Sequence, residues 1–509
     1  RSVSRTNALM KIPQSTILVC IACVLSLTGC KVGPDYYRPP ITTPDAFRDG
    51  PQTAGADAAS LADRPWWEVF NDPTLVALID EALVNNHDLR IAIARIEQAR
   101  GIRAQTRSPL YPQLEYNAAS GRGRNSAGDI AQFNGNQTEN ASRLTLDAFW
   151  ELDVWGRIRR ADDAALARLL AEEETRRAIM LALVSDVAQS YFTLLGLDLQ
   201  KQIAIRNRDS FGQTSDIFQR RAAGGVESQL PVLRARASQS GAAAAIPQFE
   251  RDIALTENQI SILLGHAPQP ISRTAALDDQ VVQPEVPVGV PSHLLQRRPD
   301  IRALEAQMVA ANAEIGVAIA DYFPRIGLTA LFGRASPELS MFASNGGTAW
   351  GIAGELGGPL FQGGRLKGQV QQARAFWDES IAQYEKSVLI ALREVSDALI
   401  ARQKLTEVEV EQQVAVTSLV DAVRLAIERF TAGRAGYFEV LEAQQELFPA
   451  EQALADTHTQ QLLAYVQLYK ALGGGWNMRD DTWRSDAAAA AEATTTGETT
   501  TTQPGQPGG

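Results

Sequence analysis

Apolar residues recur along the chain at two spacings, and each half of the chain uses both in the same order. From Leu75 to Arg107 they fall three and four apart (Leu75, Leu78, Ile79, Ala82, Leu83), the spacing of one helix face, and Pro109 and Pro112 predict its end. Toward Val154 the spacing changes to two. Leu144, Leu146, Ala148, Trp150, Leu152 and Val154 alternate with Arg143, Thr145, Asp147, Phe149, Glu151 and Asp153. That pattern predicts a strand with one apolar and one mostly polar face. Its partner is expected near Gln113 to Arg124, across a loop rich in Gly, Asn and Ser. After Gly156 the helical spacing returns and runs to about Ala222 without a proline. A helix of roughly 67 residues would be ~100 Å long at 1.5 Å per residue. Gly224-Gly225 predicts a reversal, and a second helix follows to Leu264 with a kink expected at Pro247.

The second half repeats this plan more weakly. Ile326, Leu328, Ala330 and Phe332 alternate, then Trp350, Ile352 and Leu356, and helices are expected over roughly 364–431 and 437–472. Gly156-Arg157-Ile158 matches Gly364-Arg365-Leu366, Asp186-Val187 matches Glu394-Val395, and Leu264-Gly265 matches Leu472-Gly473, each at an offset of 208. Upstream, Asp88-Leu89-Arg90 matches Asp300-Ile301-Arg302, and Tyr111-Pro112 matches Phe323-Pro324, at an offset of 212. One register held across so many points means two large half-domains, not a short-repeat solenoid. The long helices carry modest apolar stripes among Ala, Gln, Glu and Arg, which alone would read as exposed coiled coil. Their length sets them apart from globular helices, which average about 11–12 residues.

Four amphipathic strands pose a problem of closure. An open sheet edge in lipid leaves backbone groups unpaired, and single-chain barrels start at about 8 strands. Several chains must therefore pool their strands. The attached helices would form a second tube beyond the membrane, its far mouth at the glycine turns of Gly225 and Gly433.

The amino terminus adds an address. Arg1, Arg5 and Lys11 precede an apolar run from Ile17 to Leu27, and Leu27-Thr28-Gly29-Cys30 ends it; Met10-Lys11 offers a second, more compact start. That run suits a signal peptide and is too short for a transmembrane helix of about 20 residues. The pattern resembles a bacterial lipobox, in which Cys30 is lipidated and becomes the first mature residue. All three cysteines (Cys20, Cys23, Cys30) lie in this segment, so cleavage there excludes disulfides and a cysteine nucleophile. Lys31, where Asp would favour inner-membrane retention in such lipoproteins, points to the outer membrane. No later segment offers about 20 consecutive apolar residues.

Composition excludes other classes. A net charge of −11 argues against nucleic acid as a partner. The four histidines (His87, His266, His293, His458) are scattered, with no metal-binding spacing, and no clustered nucleophile and base suggest an enzyme. Gly121-Arg-Gly123 lies in a polar loop with no following helix and reads as turn chemistry. Asn136-Gln-Thr138 and Asn140-Ala-Ser142 mark an exposed loop. Ser485 to Gly509, rich in Ala, Thr, Gly and Pro, is too poor in apolar residues to form a core.

CKVGPDYYRPP at 30–40, QRRPDIRALEAQMVAANAEIGVAIADYFPRI at 296–326, GPLFQGGRL at 358–366 and ALGGGW at 471–476 together resemble the TolC/OprM-like outer-membrane factors, and the lipobox with VGPDY resembles their NodT-type lipoprotein branch. The resemblance implies a mainly α fold with a membrane β part. A homotrimer would pool four strands per chain into a 12-stranded β-barrel above a long-helix α-barrel, with two structural repeats per chain. It implies a passive exit duct of a tripartite efflux pump, with a periplasmic adaptor and an inner-membrane transporter of the resistance-nodulation-division type. An outlet for type I protein secretion and a non-transporting scaffold lipoprotein are the alternatives. The domains expected are a signal peptide (1–29), a lipid-anchored extended segment (30–72), a first repeat (73–266), a linker (267–290), a second repeat (291–476) and a tail (477–509). In the family the periplasmic mouth closes at a glycine turn followed by an acidic motif. Here Gly433 is followed by Glu439-Val440-Leu441-Glu442-Ala443, which by resemblance puts Glu439 and Glu442 at the aperture as carboxylate rings. Two departures stand out: the arginine expected two residues after the glycine is Ala435, with Arg434 adjacent, and the acidic partner expected in the first half falls at Pro231. No metal or cofactor is implied beyond the lipid on Cys30.

Overall fold

A computed structural model describes residues 31–48, 61, 64–70, 72–124, 138–280, 291–336 and 347–474. The signal peptide, Cys30, the end of the linker and the tail lie outside the described residues. The elements run α1 (Pro73–Asn85), α2 (His87–Arg107), β1 (Gln113–Arg124), β2 (Thr138–Leu152), α3 (Arg157–Ala223) and α4 (Gln229–Leu263). The second half follows with α5 (Pro299–Ala320), β3 (Arg325–Ser336), β4 (Thr348–Gly357), α6 (Arg365–Thr431) and α7 (Tyr437–Ala471).

The long helices repeat in length. α3 and α6 each have 67 residues, and α4 and α7 each have 35. Both pairs start 208 apart (157 and 365, 229 and 437), and β1 and β3, of 12 residues each, start 212 apart (113 and 325). Pro247 and Pro449 both sit inside continuous helices.

Three expectations need correction. Gly121-Arg-Gly123 and Asn140-Ala-Ser142, expected in loops, lie inside β1 and β2, where the hairpin pairs them across the strands. The helix predicted over Leu75 to Arg107 is two helices, because Asn86 leaves the helical conformation (φ −59°, ψ 132°). Its side-chain oxygen instead accepts from the N–H groups of Asp88 (2.8 Å) and Leu89 (3.1 Å), capping the start of α2.

The four strands form one antiparallel sheet in the order β1-β2-β3-β4, with β2 against β3 joining the two halves. The chain divides into two compact units. The first comprises residues up to 40, 95–173 and 303–384, and so holds the sheet; the second comprises 41–94, 174–302 and the chain from 385.

In the first unit, the segment after Cys30 is strapped onto the helices. Val32 donates to the Trp155 carbonyl (3.1 Å), Lys31 pairs with Asp163 (2.7 Å), Asn312 donates to the Pro34 carbonyl (3.1 Å), and Arg38 pairs with Glu305. Gly33 (φ +99°) crosses Gly316 so closely that a Cβ would stand 2.5 Å from the Gly316 Cα, which requires glycine there.

In the second unit, Phe70, Tyr191, Phe192, Tyr465 and Tyr469 are buried, with Phe70 meeting Phe192, Tyr465 and Tyr469 edge to face at 5.7–6.5 Å. The absence of a long apolar run in sequence does not tell the whole of α3. One 18-residue window of it averages a hydropathy of 1.5, enough by length and composition to cross a membrane, yet 61% of that window is buried inside the protein. Leu181, Val184, Val187, Ala188 and Tyr191 of α3 are core residues of a packed helix.

Candidate functional site

In the sheet, alternation and register together decide what each face touches. Leu114, Ala148, Ala330 and Ile352 stand in one cross-strand row, and Tyr116, Leu146, Phe332 and Trp350 in the next. Trp150 and Leu328 follow, then Leu152, Ile326 and Leu356. These residues share one face, and its large apolar side chains are exposed: Leu114 is 75% exposed, Trp350 74% and Ile352 79%. A soluble sheet buries such a face; a sheet in lipid presents it outward.

The other face carries Glu115 opposite Asp147, Asn117 opposite Thr145, and Glu151 in one row with Gly327 and Glu355. Directly opposed carboxylates destabilise a dry sheet. In a water-filled lumen they are tolerated and draw cations. Sequence alternation could assign these residues to a face but could not bring Glu115 and Asp147 opposite each other, because that needs the register. Below the sheet, Glu151 takes Arg157 in a two-pronged ion pair (2.9–3.1 Å), and Asp153 caps α3 through the N–H groups of Ile158 and Arg159, both at 3.0 Å.

At the other candidate site, in the second unit, the two long-helix hairpins turn the same way. Gly225 (φ +73°) and Gly433 (φ +70°) adopt left-handed backbone. In both turns the next residue closes a Schellman pair: Val226 donates to the Arg221 carbonyl and Arg434 to that of Arg429. A clasp of rings holds the ends together. Tyr437 lies 3.7 Å from Phe218 and 5.8 Å from Phe430 by ring centroids, and the Arg221 guanidinium sits 5.2 Å over Phe430.

Val440 and Leu441 face this core, while Glu439 and Glu442 stand on the exposed side of α7, and Arg434 is exposed in the turn. The structure brings Glu439 to Arg429 (3.5 Å), an arginine in the last turn of α6 that the sequence reading did not single out. Its signal was available: a basic last turn facing an acidic first turn across a short reversal. Pro231 lies in the first turn of α4, a position where the missing N–H costs nothing. Among the described residues no group of three or more His, Cys, Asp or Glu could hold a metal ion.

A sheet with a lipid-facing apolar surface, a mostly polar opposite face and two edges unpaired among the described residues, joined to paired 67-residue helices, defines a subunit of an oligomeric membrane channel. The chain belongs to the outer membrane efflux protein family, whose model matches residues 78–266 and 290–474. It is 36% identical over 463 residues to the solvent efflux pump outer membrane protein SrpC of Pseudomonas putida, covering 89% of this chain and 97% of that one. It is 32% identical over 464 residues to the cation efflux system protein CusC of Escherichia coli, covering 91% and 99%. Among solved structures it resembles CusC (TM-score 0.79, 31% identity, 88% of this chain and 100% of that one) and the outer-membrane channel OprN (TM-score 0.80, 30% identity, with the same coverage).

Proposed function

We propose that three copies of this chain form the outer-membrane exit duct of a tripartite efflux pump, passively conducting small molecules outward. The observation that carries the reading is the register of the sheet. Leu114, Tyr116, Leu146, Trp150, Phe332, Trp350 and Ile352 share one face and the carboxylates of Glu115, Asp147, Glu151 and Glu355 the other, while among the described residues β1 and β4 have no outer neighbour. In lipid those edges need strands from further copies. Relatives named for solvent and cation efflux support a pump partner. A periplasmic adaptor and an inner-membrane transporter of the resistance-nodulation-division type would supply contact and energy. Cys30 would carry the lipid anchor, and the strap at residues 31–38 would hold it close to α3 and α5.

At the periplasmic end, Glu439 and Glu442 would line the aperture beyond the Gly225 and Gly433 turns, with Arg434 and Arg429 as local counter-charges. Three symmetric copies would make carboxylate rings that favour cations. Single-channel reversal potentials in a salt gradient test both parts. Wild type should conduct with cation preference, and Glu439→Gln with Glu442→Gln should reduce that preference. No conductance would sink the duct. Identical potentials would place the two glutamates on a solvated surface.

A further inference from the structure

In the unit that holds the sheet, the two repeats meet along a seam inside the chain. β2 pairs with β3, and α3 packs on α5: Ala167 and Ala313 are buried in one cluster, and Arg168 pairs with Glu314 (2.9 Å). The hairpins on either side of the seam share one register. Gln113 stands opposite Phe149, and Arg325, 212 positions after Gln113, stands opposite Gly357, 208 positions after Phe149. α3 and α6 also begin 208 apart, at 157 and 365. The counterpart of the α3 and β2 side of the seam is therefore α6 with β4, and that of the α5 and β3 side is α2 with β1.

At these counterparts the seam positions are exposed. Ala375 and Gly101 correspond to the buried Ala167 and Ala313, and both are exposed. Phe376 corresponds to Arg168 and Ile102 to Glu314, and each is 55% exposed. Leu356, 70% exposed, and Ala118 correspond to Ala148 and Ala330, which stand opposite each other across β2 and β3. The internal seam is held by chain connectivity and can use an exposed ion pair, which contributes little. Surfaces on separate chains are held by what they bury, and here two large apolar side chains stand in place of that pair.

We propose that α6 and β4 of one copy bind α2 and β1 of a second copy in the geometry of the internal seam, with Phe376 packed on Ile102 of that copy and Leu356 opposite its Ala118. The two surfaces complement each other, not themselves, so copies join head to tail and close a ring. Strand parity agrees. Leu356 and Ala118 both lie on the apolar face, and a one-residue slip would bring Asn117 opposite Leu356 and mismatch both faces of the sheet. The inference rests on the pooled-barrel reading and adds which residues meet.

The test is cysteine cross-linking of the full-length protein in detergent. Phe376→Cys with Ile102→Cys, treated with a short bis-maleimide, should run as covalent dimer and trimer on a denaturing gel, and each single variant as monomer. Both positions are exposed, and the single variants control for Cys20, Cys23 and Cys30. Moving one cysteine about two turns along α2, in Phe376→Cys with Arg95→Cys, should abolish the product. Native mass spectrometry of the same samples before cross-linking separates the causes of a failure. An oligomer that yields only monomer on the gel, or that links equally through Arg95→Cys, would overturn the seam and leave the pooled barrel standing. Monomer alone by native mass spectrometry would remove both.

Discussion

Four helices end in the same turn, and only one of the four glycines should be expensive to replace. Gly225, Gly265, Gly433 and Gly473 have φ of 73°, 78°, 70° and 91°, and each turn is closed by the same pair of backbone hydrogen bonds at 2.8–3.1 Å. Alanine at any of them incurs the left-handed penalty of about 1–2 kcal/mol. Surroundings then separate the sites. A Cβ on Gly225 or Gly433 meets nothing within 4 Å. On Gly473 it meets the Arg297 Cβ and Arg298 Cγ at 3.4 Å, an ordinary contact. On Gly265 it stands 2.5 Å from the Asn85 carbonyl oxygen, a backbone atom that must move. Overpacking of that kind adds roughly 1–3 kcal/mol. Gly225→Ala, Gly433→Ala and Gly473→Ala should therefore lower thermal stability alike, and Gly265→Ala should fall clearly below them. Circular dichroism melts of the four variants in one detergent give the ranking. A Gly433→Ala loss as large as that of Gly265→Ala would refute the open-tip geometry and mean that the turn packs against something outside the chain.

Leu146→Arg puts a charge on the apolar face and should cost ~2–4 kcal/mol per copy near mid-membrane, seen as loss of assembled oligomer, whereas Glu115→Arg on the opposite face should assemble as wild type; equal behaviour would contradict the register. Burial raises the hydroxyl pKa of Tyr437, and burial with the Asp72 carboxylate raises that of Tyr191. Their stabilisation is complete below the unfolded tyrosine pKa of about 10 and lost as pH climbs above it. Unfolding should therefore become easier in that alkaline window, less steeply in Tyr437→Phe; a pH profile unchanged by the substitution would count against it. Mass spectrometry of the mature amino terminus should find acylated Cys30, and an unmodified terminus elsewhere would remove the lipid anchor from the account.

Periodicity made the long elements legible because helix and strand repeats are local. The 67-residue helices and the alternation around Trp150 need only neighbouring residues to be seen. What escaped was whatever depended on distance in sequence. Asn86 breaks a helix inside an uninterrupted apolar spacing, and its reason, capping Asp88 and Leu89, lies in geometry that the spacing does not record. Parity assigned Glu115 and Asp147 to one face, but their direct opposition follows from the hairpin register. The strap contacts join Pro34 to Asn312 and Arg38 to Glu305 across more than 260 residues, and no local pattern announces them. At the helix tip the acidic motif was readable, while its partner Arg429 lay on the far side of the turn.

The two halves also show how one structural task can be met by different chemistry. In the first, the Asn86 amide donates to the carbonyl of Leu263 at the end of α4 (3.0 Å). In the second, the residue 212 positions on is Arg298, and it donates to the carbonyl of Ala471, 208 positions after Leu263, at the end of α7 (3.0 Å). A neutral amide can be buried there with its own hydrogen bonds satisfied. A guanidinium only 8% exposed cannot, and requires carboxylates. Asp300 and Glu394 supply them, each at 2.7 Å. Their counterparts in the first half are also acidic, Asp88 and Asp186, so the frame around the latch is the same in both repeats and only its centre differs. With no guanidinium to serve at its own latch, Asp186 pairs instead with Lys470, next to Ala471 (3.5 Å). The end of α7 is thus held by charge from both halves, while the end of α4 is held by an amide.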